Sequence, residues 1–273
     1  MGKAAALAVS CLMVTAARAE RLAGMRRAIA GFCQQTHPAR ELVILLERTA
    51  DTAAADAILR HIASLNASRI RVLDPPAGLP LGTLRNLSRQ AATGDVFVQW
   101  DDDDMYHPRR IEKQLDALRA SAARATCLED VMQYFPDTRT LHCINWRATV
   151  TRCHPGTLMC MRDVPIDYPE HGPESRLGED SVVIAQLRKQ GLLDVLAGSP
   201  FLYVYVSHGA NSWPAGHHRM LADRLAVSSG LLRRRETALR QELGYFDFGP
   251  GPVSVHGYNG PAFELTGASH GES

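Results

Sequence analysis

The chain has 273 residues, a formal net charge of +1 and 45% hydrophobic residues. This charge balance excludes a strongly basic chain built to bind nucleic acid or an anionic membrane surface. The length suits one α/β domain with additions or two small domains, and the hydrophobic content is sufficient for a sizeable core. No apolar run reaches the roughly 18–20 residues that cross a bilayer.

Strands and helices alternate in the first half of the sequence. Short apolar segments predict strands over residues 7–14, 41–46, 69–73 and 95–100, and periodic segments predict helices over residues 18–34, 52–65, 81–92 and 107–120. Such alternation is typical of a parallel sheet with helices on both faces. In open sheets of this kind, ligands bind at the carboxyl ends of the strands.

The first apolar segment also has features of a secretory signal, namely Lys3, an apolar stretch and Ala17-Arg18-Ala19. The helical pattern continues past it without a break, so we interpret it as a buried first strand. The six cysteines form no Cys-x-x-Cys pair, which favours free thiols in a reducing compartment. We therefore expect a cytoplasmic protein.

The second half of the sequence is less regular. A hairpin is expected over residues 130–146, further strands over 157–162, 192–196 and 201–206, and a helix over 179–190. Residues 215–243 indicate a long helical stretch that Ser228-Ser229-Gly230 weakens. The tail from residue 249 is rich in Gly and Pro and is expected to be extended or disordered.

Four consecutive aspartates, here called the acidic run, follow the fourth predicted strand: Asp101, Asp102, Asp103 and Asp104. Two such charges about 5 Å apart repel each other by about 3 kcal/mol at an effective dielectric of about 20. A hard cation such as Mg²⁺ or Mn²⁺ would offset this repulsion. Because alternate strand residues point the same way, Asp101 and Asp103 are expected on one side and Asp102 on the other. A solvated loop that caps the next helix is the alternative, but the position at a sheet edge favours a metal–phosphate site.

Three other motifs contain candidate functional residues. Glu179 and Asp180 begin a predicted helix, where they either cap it or supply a general base for attack by a hydroxyl. His208 follows a predicted strand and is either a surface residue or a metal ligand through its neutral imidazole. Arg85 and Asn86 lie on a predicted helix, where they either face solvent or contact a nucleotide or diphosphate.

The chain resembles family-2 glycosyltransferases of the GT-A fold in six segments, which occur in the family's order: SCLMVTAARAERL, QQTHPARELVILLE, LGTLRNLSRQAATGDVFVQWDDDDMYHPRRIEKQ, GTLMCMR, LGEDSVVIAQLRKQG and VSHGANSW. The resemblance covers about residues 8–213 and is strongest over residues 81–114. It implies an α/β fold of the Rossmann-like GT-A type. The expected sheet is mixed, mostly parallel and flanked by helices, with a helical extension at the C-terminal end.

The resemblance also implies roles for the acidic and histidine residues. Asp103 is the second acid of an Asp-x-Asp motif and the main metal ligand, with Asp104 beside it. His208 closes the metal–diphosphate site. Asp180 is the catalytic base, with Glu179 beside it. The implied metal is Mn²⁺ or Mg²⁺.

A nucleotide-sugar donor, most simply a UDP-sugar, is implied as well. Asp101 faces the ribose, Thr15 and Glu47 lie where the nucleobase is held, and Arg85 falls near the same pocket. Asp102 is little more than a spacer in this scheme. The predicted donor-binding residues are Thr15, Glu47, Arg85, Asn86, Asp101, Asp102 and Asp103.

The chain departs from the family pattern after its first two strands. Val14-Thr15-Ala16-Ala17 stands where Pro-Thr-Tyr-Asn is common, and Leu46-Glu47-Arg48-Thr49 stands where Asp-Asp-Gly-Ser is common. Glu47 keeps an acid that is one methylene longer. These departures affect the region that selects the nucleobase.

The expected reaction is an inverting single displacement in which Asp180 deprotonates the acceptor. A sugar nucleotidyltransferase is one alternative, but residues 15–22 lack the Gly-rich loop that this chemistry uses. An inactive nucleotide- or glycan-binding module is the other alternative, and the presence of Asp103, Asp180 and His208 favours an enzyme over it.

The sequence also predicts how the chain is divided and what it binds. We expect a glycosyltransferase domain over residues 1–213, with a nucleotide-sugar half to about 120 and an acceptor half from about 121. A helical extension covers 214–248 and a tail 249–273. The acceptor is a glycan, a lipid-linked molecule, a peptide or a small molecule, and no nucleic acid partner is expected. Weak contact of Arg233-Arg234-Arg235 with the inner face of the membrane is left open, as is dimerisation through residues 215–243.

Overall fold

A computed structural model describes residues 6–266. Its helices are α1 (Leu22–Cys33), α2 (Thr52–Ser64), α3 (Leu81–Ala91), α4 (Arg110–Ala120), α5 (Glu179–Lys189), α6 (Ala215–Leu225), α7 (Ser229–Arg234) and α8 (Glu236–Leu243). Its strands are β1 (Val9–Ala16), β2 (Arg40–Glu47), β3 (Ile70–Leu73), β4 (Val96–Gln99), β5 (Met105–Tyr106), β6 (Ala125–Leu128), β7 (Asp130–Phe135), β8 (Thr140–Asn145), β9 (His154–Met161), β10 (Leu193–Leu196), β11 (Tyr203–Val206), β12 (Val253–Gly257) and β13 (Gly260–Leu265). The predictions for Lys3 and for the tail beyond residue 266 lie outside the described residues.

The first sheet has seven strands in the order β10-β6-β9-β4-β1-β2-β3. Its strands are parallel except β9, which runs antiparallel to both β4 and β6. Nearly continuous burial along β1 and β2 shows that helices cover both faces of this part of the sheet. The predicted parallel α/β architecture is confirmed. Because β1, β2 and β4 are parallel, their carboxyl ends lie together at one edge of this sheet.

The second sheet has six strands in the order β13-β12-β8-β7-β11-β5. The predicted hairpin over residues 130–146 is present as β7 and β8, which pair from Asp130–Asn145 to Phe135–Thr140. Strand β11 runs parallel to β7 and antiparallel to the two-residue strand β5, which directly follows the acidic run. This sheet therefore places its β7 and β11 side chains next to the end of β4.

The long helix predicted over residues 215–243 is divided into α6, α7 and α8. Between α6 and α7, the Val227 amide donates to the carbonyl of Cys143 in β8. The Ser228 hydroxyl then accepts a hydrogen bond from the Leu231 amide and caps α7. The break occurs where the sequence predicted weakness, because these polar residues begin a new helix there.

The tail, for which the sequence predicted an extended or a disordered conformation, forms extended strands over residues 253–257 and 260–265. Strands β12 and β13 form a hairpin, and β12 pairs in parallel with β8 at the edge of the second sheet. Gly257 allows the hairpin to approach α7, since a Cβ atom there would lie 2.1 Å from the Ser229 nitrogen. The disorder prediction is therefore wrong for residues 253–265. The division of the chain at residues 213 and 248 stays a prediction.

Within residues 6–266, no helix has the length and apolarity that a membrane crossing requires. Arg233, one of the three consecutive arginines considered for contact with lipid headgroups, is engaged in hydrogen bonds within the protein. The Arg233 guanidinium donates to the carbonyls of Pro261 and Ala262 in β13.

Candidate functional site

A cavity of about 810 Å³ opens where the first and second sheets meet. One side, here called the charged wall, consists of the lining residues between positions 14 and 104 and between 176 and 185. The opposite side, here called the neutral wall, consists of the lining residues between 131 and 156 and between 205 and 221. Among the described lining residues, every Asp, Glu, Lys and Arg belongs to the charged wall.

The acidic run does not alternate like a strand, because the chain bends after β4. Asp101 accepts a hydrogen bond from the Arg85 Nη2 atom at 3.1 Å. Asp102 is buried and accepts from the Thr15 hydroxyl, and its other oxygen lies 2.7 Å from the Arg21 Nη1 atom. Asp102 is therefore tied to the end of β1, which makes it a fixed part of the wall instead of a spacer.

Asp103 and His208 meet across the cavity edge, as the sequence predicted. The His208 Nε2 atom lies 2.9 Å from the Asp103 Oδ2 atom, and both side chains are partly exposed. Asp104 instead is fully buried, and its oxygens accept hydrogen bonds from the Tyr203 hydroxyl and from the Val206 amide at 2.8 Å. Within residues 6–266, no three His, Cys, Asp or Glu side chains form a metal-holding group. The predicted trio of Asp103, Asp104 and His208 therefore does not assemble, because β11 holds Asp104.

Burial dominates the electrostatics of the acidic run. It raises the pKa of Asp102 to about 6, and the neighbouring Asp103 charge adds to this effect while Arg21 opposes it. Burial and the charges of Asp103 and Asp101 also raise the pKa of Asp104 well above its usual range. The run thus concentrates negative charge that favours an added cation.

Arg85 connects the acidic run to the start of α5. Its Nε atom donates to Glu179 Oε1 at 2.8 Å, while its Nη2 atom donates to Asp101. Arg85 and Glu179 are both buried and Asp101 is partly exposed, so one guanidinium neutralises a buried carboxylate and a second carboxylate at the cavity surface. Gly178 begins α5 with a φ of +85°, which turns the chain so that residues 179 and 180 face the cavity.

Asp180 is the second acid of this pair and lines the cavity. One of its oxygens accepts from the Ser181 amide at 2.7 Å, and it is half-buried. Burial and the adjacent Glu179 charge raise the pKa of Asp180 to about 7, against the opposing effect of Arg85. A carboxylate with a pKa near 7 has the basicity that a general base needs at neutral pH.

The other predicted donor-binding residues separate into two groups. Thr15 and Glu47 lie at the ends of β1 and β2 and line the cavity, where Glu47 also accepts from the Gly78 amide at 2.8 Å. Asn86 is buried behind Arg85 and is not part of the lining. Its side chain is hydrogen-bonded to both backbone polar groups of Tyr168 and to Glu170. Asn86 therefore positions a loop, and its predicted donor contact does not agree with its position.

Sequence reasoning missed several lining residues. Arg21 lies in a short 3₁₀ turn (Ala19–Arg21) that follows β1, and a charge so near the end of a buried strand is a signal that could have identified it. The residues Gln133, Trp146, His154 and Tyr205 occupy the neutral wall. They come from three strands and a short 3₁₀ turn at Trp146–Ala148, and no spacing in the sequence connects them.

Solved structures with a similar fold are glycosyltransferases. S. aureus TarS (residues 1–349) has a TM-score of 0.55 and 13% identity, over 88% of this chain and 70% of that one. TarS in complex with UDP-GlcNAc has a TM-score of 0.57 and 12% identity, over 86% of this chain and 66% of that one. The mannosyltransferase PcManGT from Pyrobaculum calidifontis, in complex with GDP-Man and Mn²⁺, has a TM-score of 0.56 and 14% identity, over 86% and 64%.

The chain therefore spans 64% to 70% of the length of these structures. Their low identities establish the shared fold alone, which is the GT-A fold. Among curated proteins, no sequence matches the chain significantly. The family model for glycosyl transferase family 2 matches residues 12–159. Because this match covers more than half of the chain and includes β1, β2, β4 and the acidic run, the protein belongs to glycosyl transferase family 2.

Proposed function

We propose that this protein transfers a sugar from a nucleotide diphosphate donor to a hydroxyl acceptor with inversion, using Mn²⁺ or Mg²⁺. The observation that carries the proposal is the Arg85 bridge, which joins the acidic run to Glu179 and Asp180 in one cavity. The structure of TarS with UDP-GlcNAc and that of PcManGT with GDP-Man and Mn²⁺ support a nucleotide-sugar donor and a divalent metal.

The residues that would hold the metal are Asp103 and His208. A carboxylate oxygen and an imidazole nitrogen that lie 2.9 Å apart and are partly exposed are compatible with a shared cation. Magnesium sites typically use one or two carboxylates and complete their shell with water and substrate phosphates, so two protein ligands suffice. When bound, the ion would supply positive charge for the leaving diphosphate. We leave Asp104 out of this ligand set because Tyr203 and Val206 occupy its oxygens.

The remaining charged residues bind and orient the donor in this proposal. Asp101 contacts the ribose, and Thr15 and Glu47 border the nucleobase at the ends of β1 and β2. Arg21 holds Asp102 and thereby the bend of the acidic run. We propose a UDP-sugar as the donor, since the family resemblance implies it.

Asp180 acts as the general base. As the acceptor oxygen attacks the anomeric carbon, its O–H bond breaks and the proton moves to the Asp180 carboxylate. The new C–O bond forms on one face while the bond to the diphosphate oxygen breaks on the other, and the configuration inverts. Glu179 is bonded to Arg85 and positions Asp180. The acceptor, cytoplasmic location, membrane contact and dimerisation stay predictions.

The test is nucleotide binding and turnover by the full chain. UDP with Mn²⁺ should raise the Tm, and neither component alone should have the full effect. Asp103→Asn should remove the Mn²⁺-dependent part of this shift. Asp137→Asn is the matched control, because Asp137 is exposed, does not line the cavity and pairs with Arg219 instead of with any residue of the acidic run.

Hydrolysis of a UDP-sugar in the presence of Mn²⁺ then separates an enzyme from the two rivals. Release of free sugar and UDP supports transfer chemistry. Release of pyrophosphate from a nucleoside triphosphate and a sugar phosphate would support a nucleotidyltransferase instead. Binding of UDP without metal dependence and without turnover would favour an inactive binding module and contradict the proposal.

A further inference from the structure

Within the cavity lining that the structure describes, all buried polar side-chain atoms without a partner belong to the neutral wall. Among the residues that the structure describes, buried nitrogen atoms without a hydrogen-bond partner include Gln133 Nε2, Trp146 Nε1 and His154 Nδ1, and all three residues line the cavity. Gln133 is only 3% exposed. A buried polar group without a partner destabilises the folded state, so such groups call for a physical explanation.

The fold makes these residues neighbours. Gln133 in β7 is the register partner of Tyr205 in the parallel strand β11, so their side chains lie on the same face of the sheet. The Tyr205 ring lies 5.4 Å from the His154 ring, which in turn lies 4.9 Å from the Trp146 ring with an edge-to-face orientation. The three unpartnered nitrogens therefore belong to one continuous surface of aromatic and amide groups.

Gln133, Trp146, His154 and Tyr205 are uncharged at neutral pH. Among the described lining residues of the neutral wall there is no Asp, Glu, Lys or Arg. Burial lowers the pKa of His154 to about 3 and that of His218 to about 4, so both imidazoles are neutral at pH 7. A phosphate or carboxylate would find no cation here, and the acidic run across the cavity would repel it. An uncharged ligand with hydroxyl groups matches these donors.

The surface also adjoins the reacting groups. A Cβ atom at Gly156 would lie 3.1 Å from His154 Cε1 and 3.2 Å from Asp101 Oδ2, so only the hydrogen of a glycine separates the two walls at this point. A molecule on the neutral wall therefore sits beside the carboxylate that we assign to the donor ribose. Asp180 lines the same cavity.

We propose that Gln133, Trp146 and His154 form the acceptor subsite and bind an uncharged, hydroxyl-bearing ring such as a sugar. This inference rests on the proposed function and names the class of its acceptor. The ring packs against the Trp146, His154 and Tyr205 side chains, and small rotations of Gln133, Trp146 and His154 bring the three buried nitrogens to its hydroxyls. A site that hydrogen-bonds substrate hydroxyls rejects analogues that lack them, so this surface determines acceptor specificity.

The experiment measures binding of uncharged sugars to the full chain by saturation-transfer NMR. The probes are methyl glycosides of glucose, galactose, mannose and N-acetylglucosamine, each with Mn²⁺ and saturating UDP. At least one glycoside should bind the wild type saturably. Gln133→Leu and Trp146→Phe should each weaken this binding about three- to tenfold, since each removes one neutral donor and keeps most of the side-chain volume.

The Tm distinguishes this role from a structural one. Because Gln133→Leu replaces an unpartnered amide with an apolar group of similar size, its Tm should equal or exceed that of the wild type. The matched control is His142→Leu. His142 pairs with Gln133 in the β7–β8 register and has an unpartnered Nδ1 atom, but it does not line the cavity. This variant should keep wild-type glycoside binding.

Three results would overturn the inference. They are the binding of no glycoside by a wild type that does bind UDP with Mn²⁺, wild-type affinity in both variants, and loss of the glycoside signal when UDP-GlcNAc replaces UDP. The last result would assign the surface to the sugar of the donor. A wild type that fails to bind UDP with Mn²⁺ contradicts the proposed function itself, and this binding is measured before any glycoside is added.

Discussion

The two walls of the cavity satisfy their polar groups in opposite ways. On the charged wall, Arg85 pairs with Asp101 and Glu179, and Arg21 pairs with Asp102, so these charges already have partners. On the neutral wall, the side-chain nitrogens of Gln133, Trp146 and His154 have none among the described residues. One wall is therefore pre-organised by internal ion pairs, whereas the polar groups of the other wall are left without protein partners. Pre-organised charge suits the stabilisation of a reacting group, and unpartnered donors suit recognition of a ligand.

The largest expected effect comes from Asp180→Asn on the charged wall. It removes the proposed base and keeps the shape of the side chain, so kcat should fall by about 10²- to 10⁴-fold. Nucleotide binding should change little, because Asp180 is not among the groups assigned to the donor. Turnover of a UDP-sugar and the UDP–Mn²⁺ thermal shift measure the two properties.

Glu174→Gln is the matched control for Asp180→Asn. Glu174 is an exposed acid six residues earlier and is not part of the cavity lining. Its variant should have wild-type turnover. If Asp180→Asn has normal turnover, Asp180 is not the general base, and the base does not belong to this part of the charged wall.

Arg85→Leu should have the next largest effect, and it should act on stability. It leaves the carboxylates of Asp101 and Glu179 without their shared cation, and breaking a buried ion pair in this way costs about 3–5 kcal/mol. Urea denaturation should show the loss as a lower free energy of unfolding.

Arg89→Leu supplies the comparison on the same helix. Arg89 pairs with Asp167, which is largely exposed, so its loss should cost less than about 1 kcal/mol. Equal effects of the two substitutions would mean that the Arg85 bridge is no stronger than a surface ion pair. This result would contradict the conclusion that buried ion pairs pre-organise the charged wall.

The pH dependence of activity should reflect the pKa of Asp180, which burial raises to about 7. The base must be ionised, so kcat/KM should increase with pH through this value. At pH 6 roughly a tenth of the molecules would carry the carboxylate, and kcat/KM should be about tenfold below its plateau. A flat profile between pH 6 and 8 at saturating Mn²⁺ would contradict the assignment.

The raised pKa of Asp180 should make the folded protein less stable as the pH increases, although that increase makes the enzyme more active. The pKa of Asp180 is 3.8 in the unfolded reference and about 7 in the folded protein, so the folded state binds more protons between these values. The contribution of this group to the free energy of unfolding is therefore fully present below about pH 3.8 and is lost as the pH rises through 7. In Asp180→Asn this decline should be absent. Denaturation curves of the wild type and of the variant at pH 6 and pH 8 would measure the difference in the free energy of unfolding.

The sequence identified most of the charged side chains of the charged wall, and the reasons are physical. Adjacent carboxylates at the end of a buried strand are an unusual and costly pattern, and Glu179-Asp180 after Gly178 is a recognisable helix start. The neutral wall was missed because amide and aromatic side chains are common in cores. Only the pairing of β7 with β11 brings Gln133 beside Tyr205. Within the acidic run, the partner of each carboxylate depends on which element packs against it, and the sequence could not show that β11 holds Asp104.

For the fold as well, the sequence predicted features that depend on neighbouring residues better than features that depend on contacts between distant segments. The parallel first sheet followed from local periodicity. Strands β12 and β13 were missed although their signal was local, since Asn259-Gly260 lies between two short alternating runs. The Gly and Pro content of the tail outweighed that signal in the interpretation. Strand β6 was also missed, although strands of the same length such as β3 and β4 were predicted.

The smallest expected effect concerns Trp213 at the mouth of the cavity, and it tests what distinguishes the neutral wall. Trp213 is 41% exposed and stacks on His217 with 4.7 Å between ring centroids, so it is aromatic like Trp146. Its indole nitrogen is not among the buried unpartnered atoms. Trp213→Phe keeps the stacking face and should change glycoside affinity less than about twofold, while Trp146→Phe should reduce it by at least threefold. If the two substitutions weaken binding equally in the same NMR titration, aromatic surface and not the unpartnered donors explains recognition, and the contrast between the walls reduces to charge alone.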